Sequence, residues 1–92
     1  MNKLWIFRNG YTITECTSFP FAFRAMYYTV KKALEAKKPL NEIIKTMSIK
    51  SPIKDIYGNF KVYSYEEANQ MARNTGLLYA DGAINSKEFK RF

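Results

Sequence analysis

The segment from Ser18 to Lys38 constrains this chain most, because it is the longest stretch with clear helical periodicity. Its apolar side chains recur every three or four residues and so form one stripe along a helix: Phe19, Phe23, Met26, Tyr27, Val30 and Leu34. Ser18 is suited to cap the first turn, and Pro20 lies where a helix needs no N–H donor. The pattern predicts a long helix, ending near Lys37, with an aromatic inner face and a basic outer face.

Two β-hairpins are predicted on either side of the helical part of the chain. Each contains a turn dipeptide that tolerates positive φ, Asn9-Gly10 in the first and Gly58-Asn59 in the second. The four strands are predicted over residues 3–8, 11–17, 53–57 and 60–64.

Two shorter helices complete the regular structure. One is predicted over residues 39–48, because Leu40, Ile43, Ile44 and Met47 again form an apolar stripe. The other begins at Ser64, which forms a capping-box pattern with Glu67, and ends at Gly76. After it, a turn at Asp81-Gly82 and a small strand over 83–85 are expected, followed by a helical turn or an extended arm to residue 92.

This order of elements predicts an α+β fold. We expect a small single domain, residues 1–92, in which two β-hairpins form an antiparallel sheet packed by about three helices.

The composition favours a soluble, intracellular, basic protein. The formal net charge is +7, and residues 19–52 hold most of the excess, with seven basic and two acidic side chains. Neither a signal peptide nor a membrane-spanning segment is expected, and the single cysteine, Cys16, fits a reducing compartment. A cytoplasmic protein, or one packed into a particle, is the expected location.

Catalytic chemistry is not predicted. The chain contains no histidine, so the commonest general base and metal ligand is missing. Cys16 without a histidine is a poor nucleophile, and the eight carboxylates show no metal-binding spacing. The four glycines lie at turns or a helix end rather than in a phosphate-binding loop. We therefore expect no enzyme activity, no cofactor and no metal.

The basic outer face of the long helix is the first candidate binding surface. Lysines and an arginine can follow a phosphate backbone, with Tyr28 between them able to stack on a base. The candidate nucleic-acid-binding residues are Arg24, Tyr28, Lys31, Lys32, Lys37 and Lys38. The competing interpretation is that this charged face only keeps the helix soluble, which Glu35 on the same face favours.

Aromatic side chains form the second candidate surface. Seven Phe, seven Tyr and one Trp are too many for so small a core to enclose. The candidate protein-interface residues are Trp5, Tyr63, Phe89 and Phe92. Lys61 with Tyr63, and Lys3 with Trp5 and Phe7, share strand faces and resemble the basic-aromatic surfaces of single-strand binders in general. Ordinary packing of one sheet face is the alternative for Trp5 and Phe7.

One short stretch resembles a known type of domain. Residues 57–72, YGNFKVYSYEEANQMA, are similar to the strand followed by an SxEEA helix in small sheet-reading DNA-binding domains of the integrase-arm kind. The composition, rich in Lys, Tyr and Asn, also resembles that of small phage-encoded proteins.

Two functions follow as hypotheses. One is a non-enzymatic protein that contacts nucleic acid; the other is an adaptor, inhibitor or particle subunit held to protein partners, or to other copies of itself, by exposed aromatics. Binding through phosphates weakens steeply with salt, whereas an aromatic protein interface is less sensitive. No membrane partner is expected.

Overall fold

A four-stranded antiparallel sheet organises the part of the chain that the structure, a computed structural model, describes, residues 4–90. The strands are β1 (Trp5–Asn9), β2 (Thr12–Cys16), β3 (Met47–Lys54) and β4 (Phe60–Tyr63), in the spatial order β2-β1-β3-β4. The helices of this part are α1 (Phe19–Glu35), α2 (Leu40–Ile43), α3 (Tyr65–Asn74) and α4 (Ser86–Lys90). The predicted α+β fold, with two hairpins joined into one sheet, is confirmed.

The helix α1 begins and is stabilised as its sequence predicts. The Ser18 hydroxyl accepts a hydrogen bond from the Phe21 N–H, and Pro20 lies in the first turn. The buried stripe of α1 comprises Phe19, Ala22, Phe23, Met26 and Val30. Leu34, predicted to belong to it, is 45% exposed in the last turn of the helix, so that part of the prediction is wrong.

The core lies between α1, α3 and one face of the sheet. Phe7 on β1 and Ile49 on β3 are paired neighbours on this face, and both are buried. A run of aromatic rings continues along α1, because Phe19 contacts Trp5 at 5.5 Å between ring centroids, and Phe23 contacts Phe19 at 5.9 Å. This run is how a small core accommodates many large rings.

The second helix is shorter than predicted. Helix α2 and the 3₁₀ turn Ile44–Thr46 end where β3 begins, so the predicted helix over 39–48 is wrong in its last residues. Met47, Ile49 and Ser51 are buried and alternate with half-buried neighbours, which is the period of a strand. Met47 fits both the helical stripe and the strand, and pairing with β1 decides between them.

The second hairpin also differs from its prediction. Strand β3 ends at Lys54, and residues 55–59 form the turn, so the predicted strand over 53–57 is mostly wrong. Between the pairs Lys50–Val62 and Lys54–Phe60, β3 has three residues where β4 has one. This bulge includes Pro52, which lacks a ladder donor, and is closed by the Ile53 N–H, which donates to the Ser51 hydroxyl at 3.0 Å.

The C-terminal elements agree with their predictions except over residues 83–85, where the expected strand is reduced to a single bridge. Ser64 and Glu67 form the reciprocal capping box of α3. Gly76 follows the helix with a φ of 83°. Leu78 and Ile84 form the short bridge that closes the turn at Asp81-Gly82, and α4 is the predicted terminal helical turn.

Candidate nucleic-acid interface

The predicted basic residues of α1 lie on the side of the helix that faces away from the sheet. Arg24, Tyr28 and Lys31 follow one another at spacings of four and three residues and therefore form one row. Lys31 is exposed, Tyr28 is 48% exposed and Arg24 is half-buried. Lys32 is exposed next to this row. We call these four residues the basic ridge.

Tyr28 is held in place by its neighbours. The Cζ atom of Arg24 lies 5.6 Å from the centre of the Tyr28 ring. The rings of Tyr27 and Phe89 contact Tyr28 edge to face, at 5.7 Å and 6.5 Å between centroids. Because these contacts restrict the ring before any ligand binds, stacking on it costs less side-chain entropy.

Lys37 and Lys38 extend the ridge past the C-terminus of α1. The Lys37 N–H donates to the Leu34 carbonyl and the Lys38 N–H to the Ala33 carbonyl, the two bonds of a Schellman motif. Lys37 has a φ of 64°, in the left-handed region where glycine is strongly favoured. The helix therefore ends with a lysine in the place where a glycine would be more stable.

The charge balance of this region is strongly positive. Residues 19–46 contain six basic and two acidic side chains. Glu35 lies one turn after Lys31 on the same side of α1, and Glu42 lines a cleft of about 760 Å³ together with Lys32 and Lys38. The ridge and its extension thus have an excess of cations, although Glu15 of β2 also lines a cavity with Arg24 and Tyr28.

The predicted protein-interface aromatics lie elsewhere than expected. Phe89 is 6% exposed and packs against Phe23 and Tyr27, so the prediction that it is an exposed contact is wrong. Trp5 and Tyr63 are half-buried and stack on each other at 6.3 Å, on the face of the sheet that the helices cover. Phe92 lies outside the described residues.

The basic-aromatic pairs expected on the sheet also lie on its covered face. The Lys61 ammonium is 5.3 Å from the Tyr63 ring centre, and Phe7 is buried beneath the helices. Lys3, predicted to share a face with Trp5 and Phe7, lies outside the described residues.

The opposite face of the sheet carries a set of residues that sequence reasoning missed. No helix of the described part of the chain covers it, and we call it the open face. It carries Ile6 and Arg8 of β1, Ile13 and Glu15 of β2, Ser48, Lys50 and Lys54 of β3, and Phe60 and Val62 of β4. The alternation of residue character from Met47 to Pro52 was the signal for this strand. It was overlooked because residues 47 and 48 were assigned to the helix predicted over 39–48.

Cys16 and the carboxylates are the other described side chains that the sequence analysis considered for chemistry. Cys16 is buried at the end of β2, and this burial raises the pKa of its thiol, so the reactive thiolate is disfavoured at neutral pH. Between residues 4 and 90, no group of three or more Cys, Asp or Glu side chains is placed to hold a metal ion.

The comparisons with other proteins leave the local geometry as the basis for a functional argument. No helix among the described residues is both long and apolar enough to cross a bilayer. No protein-family description matches the sequence, and searches of curated proteins and of solved structures find no significant similarity.

Proposed function

We propose that this chain is a non-enzymatic nucleic-acid-binding protein that contacts phosphates through the basic ridge of α1. The observation that carries the proposal is the row of Arg24, Tyr28 and Lys31. It places a restrained aromatic ring between a half-buried arginine and an exposed lysine on one side of a helix. Lys32, Lys37 and Lys38 add positive charge next to this row.

The ridge is suited to bind the backbone rather than to read bases. Lysine ammonium groups are flexible point charges that follow phosphates without fixing a sequence register. Tyr28 adds a stacking surface that accepts any base with an exposed face. Binding is therefore expected to be strong at low salt, weak at high salt and nearly independent of sequence.

The Lys37 backbone supports the same proposal. A non-glycine residue in the left-handed region costs about 1–2 kcal/mol, and such strain is found preferentially where a side chain is needed for function. A lysine at φ 64° keeps an ammonium group next to Lys38 at the end of the ridge.

The test is binding to a short fluorescent duplex and to a single strand at about 50 and 200 mM salt. We expect Lys31→Glu/Lys32→Glu to weaken binding by roughly tenfold or more, because two phosphate contacts become repulsive. Lys61→Glu/Lys87→Glu is the matched control, since it changes the net charge equally at two exposed residues that are not part of the ridge. Equal losses in both double variants would show that only net charge matters and would contradict the proposal.

A protein-interaction module is the second candidate, and one observation favours it. The turn after β3 is held by Asp55, whose carboxylate accepts hydrogen bonds from the N–H groups of Tyr57 and Asn59, both at 2.9 Å. This ordered turn exposes two large apolar side chains, Ile56 at 91% and Tyr57 at 82%. Exposed apolar anchors on an ordered turn are typical of protein contacts.

The second candidate is tested by affinity capture from cell extract at about 500 mM salt. A specific protein partner is expected to remain bound to the wild type and to be lost with Ile56→Ser/Tyr57→Ser. Recovery of the same proteins by both forms would exclude this turn as the contact.

A further inference from the structure

The open face of the sheet contains an aromatic ring with two ammonium groups over it. The Nζ atom of Lys50 lies 4.5 Å, and that of Lys54 5.2 Å, from the centre of the Phe60 ring. The bulge in β3 places both lysines beside the ring. It pairs Lys54 with Phe60, while Lys50 stays paired with Val62, the next residue of β4 on the open face. Phe60 is nevertheless 38% exposed, so part of its ring is open to a ligand.

An apolar groove lies next to this ring. It has a volume of about 690 Å³, and its apolar lining is formed by Leu4, Ile6, Pro52, Ile53 and Phe60. Lys50 and Lys54 also line it. A ligand in the groove therefore meets apolar surface and positive charge together.

The cations of the open face are largely uncompensated. Strand β2 contributes one carboxylate to this face, that of Glu15. Ile6 of β1 pairs with both Glu15 and Lys50, so one strand separates this carboxylate from Lys50. Asp55 follows Lys54 directly, and its carboxylate accepts hydrogen bonds from the N–H groups of its own turn. The two ammonium groups lie against the Phe60 ring instead of against a carboxylate. A ligand that carries negative charge would complement them.

We propose that the open face binds single-stranded nucleic acid, with a base stacked on Phe60 and the flanking phosphates bound by Lys50 and Lys54. A single strand offers what this face requires, an unpaired base with a free ring surface joined to negative charges. A duplex keeps its bases stacked inside, so it offers this face only phosphates. An apolar protein partner would leave the two ammonium groups without counter-charge.

This site is separate from the basic ridge and does not depend on it. Helix α1 packs its buried stripe on the covered face, so its ridge and the open face lie on opposite sides of the sheet. Variants of one surface therefore leave the other intact, and the two proposals fail independently.

The experiment measures binding of a labelled thymidine oligonucleotide of about 12 residues, and of a duplex of equal length, by fluorescence anisotropy. Phe60→Ala is expected to weaken single-strand binding by about tenfold, from the loss of one stacked base. Phe60→Tyr keeps a ring and is expected to bind within about twofold of the wild type. Val62→Ala is the matched control on the same strand and face, and should also bind within about twofold.

The salt dependence of binding tests the contribution of the two lysines apart from that of the Phe60 ring. For a single strand, each phosphate contact contributes about 0.7 to the slope of log affinity against log salt. Lys50→Gln/Lys54→Gln is therefore expected to reduce that slope by about 1.4. Duplex binding is expected to change little in the Phe60 variants, because no base stacks on the ring.

Five results would overturn the proposal. The first two are single-strand binding by Phe60→Ala that is as tight as that of the wild type, and binding by Phe60→Tyr that is as weak as that of Phe60→Ala. Loss of single-strand binding only in Lys31→Glu/Lys32→Glu would assign the function to the basic ridge alone. A dimer in sedimentation velocity that dissociates on Phe60→Ala would assign the open face to self-association. Absence of any binding at about 50 mM salt would reject both proposals.

Discussion

The two faces of the sheet differ in burial although the same four strands form both. On the covered face, Phe7 and Ile49 are at most 4% exposed, whereas Ile13 and Val62 on the open face are about half exposed, at 52% and 51%. Successive side chains of a strand point to opposite faces, so the helices decide which half of each strand becomes core. The apolar character of a strand residue is therefore not enough to place it in the core of this chain. The covered face forms the core, and the open face leaves about half of the surface of these two side chains in contact with water.

The strongest test of this difference is the same substitution on both faces. Ile49→Ala is expected to reduce the free energy of unfolding by about 2–5 kcal/mol, because it leaves a cavity in the core. Ile13→Ala is expected to change it by less than about 0.5 kcal/mol, since the side chain is already half in water. Urea unfolding followed by the fluorescence of Trp5, the single tryptophan, measures both.

Ile49→Val is measured beside these variants, with an expected loss of about 1 kcal/mol, so that the comparison survives if Ile49→Ala does not fold. Similar losses for Ile13→Ala and Ile49→Ala would break the comparison, because they would mean that the open face is also buried in solution.

Two serines of β3 sharpen the comparison within one strand. Ser51 lies on the covered face, is 3% exposed and accepts the hydrogen bond that closes the bulge, whereas Ser48 lies half-buried on the open face. Ser51→Ala is expected to cost about 1–3 kcal/mol, because it leaves the Ile53 N–H without its acceptor. Ser48→Ala is expected to change stability by less than about 0.5 kcal/mol. If both variants lose the same amount in urea unfolding, the bulge is not held by this hydrogen bond.

The fold was largely predictable because its signals are local. Ser18 and Ser64 mark two helix starts, and Gly76 marks a helix end, each through bonds within a few residues. The start of β3 was not predictable in this way. Met47 fits a helix and a strand equally well, and its pairing with Asn9 depends on a residue 38 positions earlier in the chain.

The candidate sites were predictable to different degrees. The basic ridge lies on one helix, so the spacing of Arg24, Tyr28 and Lys31 was enough to place these residues together. The cluster of Lys50, Lys54 and Phe60 depends on the bulge, which shifts the register by two residues and cannot be deduced from the period of a regular strand. Phe89 was misassigned because no periodicity in the short C-terminal segment shows that it packs under α1.

The C-termini of the two helices that cover the sheet differ in the residue that adopts the left-handed conformation. Helices α1 and α3 both end in a Schellman motif, with Lys37 at φ 64° in one and Gly76 at φ 83° in the other. Lys37→Gly is expected to stabilise the protein by about 1 kcal/mol, and Gly76→Ala to destabilise it by about the same amount. Thermal unfolding measures both changes.

Lys37→Gly should at the same time weaken nucleic-acid binding and lower its salt slope by about one phosphate contact. A variant that is more stable and binds unchanged would remove Lys37 from the proposed interface while leaving the backbone argument intact.

The smallest expected effect concerns pH and the first turn of α3. The Ser64 backbone N–H donates to the Glu67 carboxylate, and the Ser64 side chain adds a second hydrogen bond, so the pKa of Glu67 lies below its ordinary value of 4.5. A carboxyl whose pKa is lowered by folding stabilises the folded state above its unfolded pKa. That contribution is lost as the pH falls through the lower, folded value. The wild type should therefore lose stability as the pH falls below the ordinary value of 4.5, relative to Glu67→Gln, whose amide does not titrate. Glu66→Gln is the matched control, because Glu66 is the adjacent acidic residue and is not part of the capping box. An identical pH dependence for the wild type and Glu67→Gln in urea unfolding would show that the capping box does not depend on the charge of Glu67.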